Sequence, residues 1–201
     1  MSRPISPRGA VRTRRRLLGL GLAGPWLARA AIAVDDWSIA DLFAALARQP
    51  ASRARFIEFR RISELEGLLE SSGELEFEAP DRLVKRTLRP LPEELLLEGD
   101  QLTVRQGRFE QRLPMSDLPG VGELAAGLRA MLLGDLAALQ AHFELALTGK
   151  RGNWQLQALP RDPDAAAVLA RLVIAGQQAR IDEVRVELVN GDLSTMRILP
   201  L

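Results

Sequence analysis

The sequence predicts a mainly β chain: one antiparallel sheet of about ten or eleven strands, with helical pieces at the start and in the middle. Three observations carry this. Most of the chain beyond residue 50 falls into short alternating segments separated by tight turns. Two stretches instead repeat their apolar residues with a helical period. Apolar residues make up 47% and charged residues 26% of the 201, a balance that folds around a core.

Ile39–Arg48 places Ile39, Leu42, Phe43 and Leu46 on one helical face, with Asp35 and Asp36 near its start and Pro50 after it. Such a short amphipathic helix must lie on something. Arg55–Leu65 then alternates imperfectly, and Gly73–Ala79 alternates cleanly. There Leu75 and Phe77 point one way and Glu74, Glu76 and Glu78 the other, giving one dry face and one wet one. Ala79-Pro80-Asp81 turns the chain into strand-like Arg82–Leu88, and Pro90 and Pro92 break it again. Leu95–Glu98 and Leu102–Arg105 flank Gly99-Asp100, and Gln106-Gly107 turns into Phe109–Leu113. Connections this short form hairpins and exclude parallel crossovers, so the sheet is antiparallel.

From Pro119 to Phe143 the period is helical. Val121, Leu124, Leu128, Met131 and Leu132 make one stripe; Gly134-Asp135 interrupts; Leu136, Leu139, Gln140 and Phe143 continue in a second short helix. Strand signals return in Glu144–Thr148, Trp154–Leu159, Arg180–Val189 and Leu193–Leu199, the last two joined by the hairpin signal Asn190-Gly191. Residues 164–175 read both ways. Asp162-Pro163 caps a helix there, yet Val168, Leu172, Val173 and Ile174 suit a strand, and strand is the reading preferred.

The first 33 residues differ in kind. They hold seven of the 27 basic residues and none of the 26 acidic ones, so the rest of the chain carries about six more acids than bases. A basic arm ending Arg14-Arg15-Arg16, a short apolar run Leu17–Leu27 and small residues Ala31-Ile32-Ala33 before Val34 read as a signal peptide cleaved near Ala33/Val34. The run is too short to span a bilayer, which takes about 20 residues. Thr13-Arg14-Arg15-Arg16-Leu17-Leu18 also resembles a twin-arginine signal, and both export routes stay open. Residues 34–201 then form a single domain working in the periplasm. Gly19-Leu20-Gly21-Leu22-Ala23-Gly24 fits GxGxxG in letters only, since no strand precedes it and no βαβ unit follows.

Chemistry is sparse. No cysteine is present, which removes disulfides, thiolate metal sites and cysteine nucleophiles. The one histidine, His142, sits beside Phe143 in an apolar helical stretch and reads as a helix-end or rim residue rather than a general base. Glu74, Glu76 and Glu78 lie on a solvated strand face, and Glu93-Glu94 reads as a solvated pair in a turn. Asp162 and Asp164 lack the spacing of a calcium loop. The expectation is no enzyme, no cofactor and no metal. Nucleic acid is also excluded as a partner, because beyond the leader the chain is acidic, has no tyrosine and has only Trp37 and Trp154. Arg82, Lys85, Arg86 and Arg89 form the only local basic cluster.

Two arrangements satisfy an apolar sheet face and helices of matching character. The helices pack the sheet solidly, or the sheet curves and the helices cover a hollow that holds a ligand.

The order of elements resembles the LolA-like periplasmic lipoprotein carriers. Local matches are Ser72-Gly73-Glu74-Leu75-Glu76-Phe77-Glu78-Ala79-Pro80-Asp81-Arg82-Leu83, Glu98-Gly99-Asp100, Trp154-Gln155-Leu156-Gln157-Ala158-Leu159-Pro160, and Gly191-Asp192 with Met196 and Ile198. The resemblance covers roughly residues 38–200 and rests on order and spacing. It implies a half-open antiparallel β-barrel of about 11 strands covered by a helical lid, the insert at about 118–143. It also implies a monomeric chaperone that carries acyl chains of a lipoprotein or other lipid from an inner-membrane exporter to an outer-membrane acceptor. Cavity lining is expected from Leu75, Phe77, Leu83, Leu95, Leu97, Leu102, Val104, Trp154 and Leu156, and from Val121, Leu124, Leu128, Met131 and Leu132 of the lid. One departure stands out. Where the family commonly has a lid-bracing arginine before the proline, this chain has Ala79, and the aromatic expected three residues after Pro80 is Leu83. A LolA-related carrier of another lipid therefore fits as well as a lipoprotein carrier. The competing function is a non-carrying interaction or sensor domain on the same scaffold.

Overall fold

The structure, a computed structural model, describes residues 37–48 and 51–201; the expected signal peptide and Pro50 lie outside them. Helix α1, Ile39–Leu46, opens on a capping box that the sequence reading passed over: Ser38 Oγ accepts from the Asp41 amide, and the Asp41 carboxylate accepts from the Ser38 amide.

Six strands follow: β1 Ala51–Arg61, β2 Leu69–Glu78, β3 Arg82–Arg89, β4 Glu93–Glu98, β5 Gln101–Gln106 and β6 Phe109–Pro114. A 3-10 turn at Met115–Asp117 leads into helix α2, Pro119–Leu133, and helix α3, Leu136–His142. Then come β7 Phe143–Lys150, β8 Asn153–Pro160, one helical turn α4 Pro163–Ala166, β9 Leu169–Gln177, β10 Arg180–Leu188 and β11 Leu193–Pro200. Residues 164–175 thus follow both readings in sequence. Asp162 caps a single turn by accepting from the Ala165 amide, and the β-branched run then forms β9.

All eleven strands form one antiparallel sheet in the order β6-β5-β4-β3-β2-β1-β11-β10-β9-β8-β7. Neighbours in space are neighbours in sequence except where β1 pairs with β11. The sheet's two free edges are therefore β6 and β7, the strands that flank α2 and α3 in the chain. The helical insert has to cross from one edge to the other. That requirement is what puts a cover over the inner face.

Two glycines let the sheet accept large aromatic neighbours. Phe56 pairs with Gly73 and Trp154 with Gly176, and a Cβ at either glycine would meet the ring at 3.0 Å or closer. Trp154 Nε1 donates to the Gln178 carbonyl at 3.0 Å, which keeps the indole polar group paired inside. At the end of α2, Gly134 adopts the left-handed conformation (φ +67°) and lies against the Ala47 backbone at the end of α1, where a side chain has no room.

The core occupies only half of the inner face. Leu42, Phe43 and Leu46 of α1 meet Met131, Leu139 and Phe143 over Trp154, Leu156, Leu172 and Ile174 of β8 and β9. Over β1–β5 no helix packs this densely. The outer face carries a cross-strand ladder of charges instead. Glu76 takes Arg86 Nη1 at 3.0 Å and Arg82 Nη1 at 3.2 Å; Glu94 takes Arg86 Nε at 2.8 Å and Arg105 Nη1 at 2.7 Å; Arg105 continues to Glu110 at 3.0 Å. Glu94 is therefore a ladder member in β4, not a solvated turn residue, because it stands opposite both Arg86 and Arg105 in register. Beneath these long side chains Val84 and Thr103 are buried on what would otherwise be a wet face.

Candidate functional site: a lidded hollow

Between the inner face and α2 lies a cavity of about 860 Å³. Of the expected wall residues, Leu75, Phe77, Leu83, Leu95, Leu97 and Leu102 border it. All five expected lid residues, Val121, Leu124, Leu128, Met131 and Leu132, border it from α2. The reason lies in periodicity. Odd-numbered residues of β2 and β3 face inward, and β4 and β5 continue that face through the pairs Leu83–Leu97 and Leu97–Leu102.

Three expected wall residues lie elsewhere. Trp154 and Leu156 are buried in the solid half, under α1 and α3, so helices rather than cargo cover them. Val104 sits two residues nearer the β5–β6 turn, opposite Gln111 of the edge strand, and falls outside the border. The two arrangements left open by composition therefore coexist: solid packing over β8 and β9, and a hollow bordered by β1–β5, β10 and β11.

Sequence reading missed the opposite wall. Val184, Val186 and Leu188 of β10 and Met196 and Ile198 of β11 border the hollow, as do Leu46 and Met115. The signal was present in the alternation on either side of Asn190-Gly191. It was read as a hairpin without assigning its inward face.

Polar groups also border the hollow, Arg53, Glu76, Arg180 and Asp192 among them, and one cluster centres on a buried carboxylate. Glu58, although it stands on the inward face of β1, is 5% exposed. Lys85 Nζ donates to its Oε2 at 2.5 Å and Ser194 Oγ to its Oε1 at 2.6 Å, with Ser71 Oγ at 3.3 Å and Arg60 Nη2 at 3.4 Å. Burial works to raise the Glu58 pKa, but Lys85, then Ser194 and Arg60, outweigh it and hold the carboxyl down to about 2. Lys85 Nζ also stands 5.0 Å from the centre of the Phe56 ring. The local basic cluster of the sequence is thus divided by strand parity. Lys85 turns inward to Glu58, while Arg82 and Arg86 turn outward to the ladder.

Helix α2 is bonded to the sheet towards its C-terminal end and to α3 near its start. Arg129 of α2 donates through Nη2 to the Gly99 carbonyl, in the β4–β5 turn, at 2.7 Å. His142 Nδ1 lies 3.2 Å from the Glu123 carboxylate, joining the end of α3 to the start of α2. Among the described residues no cluster of three or more His, Asp or Glu is arranged to hold a metal.

An open eleven-stranded sheet whose edge-to-edge helical insert covers an apolar hollow is matched by sequence as well. Residues 28–198 match the family described as outer membrane lipoprotein carrier protein LolA-like. The chain belongs to that family. No curated protein matches it significantly. Among solved structures it is similar to a LolA superfamily protein from Nitrosomonas europaea, at 9% identity and TM-score 0.44, covering 79% of this chain and 89% of that one. It is also similar to a DUF1329 family protein from Desulfovibrio piger, at 10% identity and TM-score 0.43, covering 80% and 89%. A third is the lipoprotein LppX from Mycobacterium tuberculosis, at 13% identity and TM-score 0.36, covering 78% and 92%. In this LolA-like chain Arg129 of α2 bonds to the sheet at Gly99, while the position before Pro80 is Ala79.

Proposed function

We propose that this LolA-like protein is an exported carrier that shields acyl chains of a lipoprotein or another lipid in its hollow and delivers them towards the outer membrane. The observation that carries the reading is the hollow itself, about 860 Å³, walled by leucine, valine and methionine from both arms of the sheet and from α2. That size falls within the ordinary range for small-molecule sites. Each methylene moved from water into such a wall contributes about 0.8 kcal/mol, so a dozen supply roughly 10 kcal/mol before the costs of association. Hydrocarbon is the cargo class that gains from it.

Delivery requires release as well as capture. The cover is one helix with three glycines inside it, bonded to the sheet towards its C-terminal end by Arg129 to Gly99. Opening is expected in the first part of α2, because Ala130 and Met131 at its end are buried in the solid half. The basic leader, with its short apolar run and small-residue cleavage site, supports export into the periplasm. No described helix is long and apolar enough to cross a membrane.

The test is loading of a fluorescent acyl probe. The folded domain takes up the probe saturably, and Leu128→Glu, which puts a carboxylate into the lid's apolar stripe, abolishes uptake while the circular dichroism spectrum stays unchanged. Uptake unaffected by that substitution means the probe sits elsewhere and overturns the assignment. A domain that takes up no acyl probe is the interaction or sensor module instead.

A further inference from the structure

Among the polar residues that border the hollow, Glu58, Lys85 and Arg60 stand together, and these three are not in balance as hydrogen-bonding groups. The two Glu58 oxygens receive Lys85, Ser194, Ser71 and Arg60, so its acceptor sites are filled. Lys85 has three ammonium protons, and among the described residues its partners are the Glu58 carboxylate and the Phe56 ring face. Arg60 borders the hollow, half exposed, with one guanidinium nitrogen 3.4 Å from Glu58. Two further carboxylates border the hollow: Asp192 Oδ1 accepts from the amide and hydroxyl of Ser63 in the β1–β2 connection, and Glu76 accepts from Arg53, Arg82 and Arg86. Donors therefore remain on Lys85 and Arg60, beside a carboxylate whose own acceptor sites are filled.

A purely hydrocarbon cargo gains nothing from such a spot. A lysine at this inward position of β3, between Leu83 and Thr87 and opposite Leu75 and Leu95, displaces an aliphatic side chain that would line the hollow better. Glu58 holds the amine in place, so the donor is fixed in direction before any cargo arrives. What complements it is a group that brings oxygen acceptors, and an oxyanion does so most strongly, because charge-assisted bonds exceed neutral ones.

Resting on the carrier reading above, we infer that Lys85, positioned by Glu58 and assisted by Arg60, binds the anionic head of an amphiphile whose hydrocarbon tail lies along the lid leucines. The cargo class is then an acyl chain ending in a carboxylate or phosphate, and not an uncharged ester.

The experiment uses cis-parinaric acid and its methyl ester, which share one fluorescent tail, on the full domain. The wild-type protein binds the acid at least tenfold more tightly than the ester. Lys85→Met reduces that preference to within twofold while keeping affinity for the ester, and Lys85→Arg retains it. Equal binding of acid and ester by the wild-type protein overturns the inference and leaves the carrier reading standing. Binding of neither overturns both. Because Lys85→Met leaves Glu58 buried without its cation, the double variant Glu58→Gln/Lys85→Met is measured beside it. A preference for the acid that survives in either variant assigns Lys85 a structural role and overturns the inference. Competition by dodecanoate against dodecyl phosphate then separates the two kinds of head.

Discussion

Arg129 of the lid reaches the carbonyl of Gly99 at 2.7 Å, and the same Gly99 offers its amide to the Asp81 carboxylate at 3.2 Å. One glycine in the β4–β5 turn therefore connects the lid to the β2–β3 turn. A guanidinium bonded to a carbonyl in a half-buried setting is worth about 1.5–3 kcal/mol. Replacing Arg129 with alanine is expected to raise the dissociation rate of an acyl probe by roughly tenfold or more, since each 1.4 kcal/mol is a factor of ten. Stopped-flow dilution measures it. An unchanged rate would mean that lid opening does not break this bond.

Trp154 and Leu156 give the complementary control. Both are buried in the solid half, so Leu156→Ala should cost about 2–5 kcal/mol of stability in urea titration. Probe affinity, measured well below the unfolding midpoint, should stay within twofold. Loss of binding with stability intact would place Leu156 in the hollow after all.

Gly73 allows no side chain. A Cβ there runs into the Arg86 carbonyl of β3 and meets the Phe56 ring at 3.0 Å. Gly73→Ala should therefore destabilise the fold by about 2 kcal/mol through forced strand displacement. A thermal melt reports it, and an unshifted midpoint would show that the sheet relaxes there without cost.

Glu58 sets an acid limit. Its carboxyl is held down to about 2 in the folded protein, against 4.5 when free. The ion pair thus contributes stability that is complete above pH 4.5 and is lost as the pH falls from there towards 2, on the order of 3 kcal/mol. Glu58→Gln should flatten that limb of the stability curve. A wild-type curve equally flat over the same range would remove Lys85 as the group that compensates the charge.

Sheet and lid were legible in this sequence because their signals are local. Alternation in Gly73–Ala79, the Asn190-Gly191 turn and the leucine stripe of 121–132 each fix a face without knowledge of the rest. What those signals do not carry is which stretch of the inner face the helices cover. Leu156 and Leu75 both alternate as inward strand residues, yet one lies under α1 and the other under open space, a difference set by sheet order and by where β1 meets β11. Proximity in sequence groups Lys85 with Arg82, Arg86 and Arg89, whereas strand parity separates it from Arg82 and Arg86. Its place on the inward side follows from Leu83, two residues before it.

The most direct measurement is mass spectrometry of solvent extracts from protein purified, without detergent, out of the periplasm of a Gram-negative host. The expected result is a long-chain amphiphile in near-stoichiometric amount that disappears from Leu128→Glu prepared alongside. Extracts of the wild-type protein as empty as those of the variant would contradict the carrier.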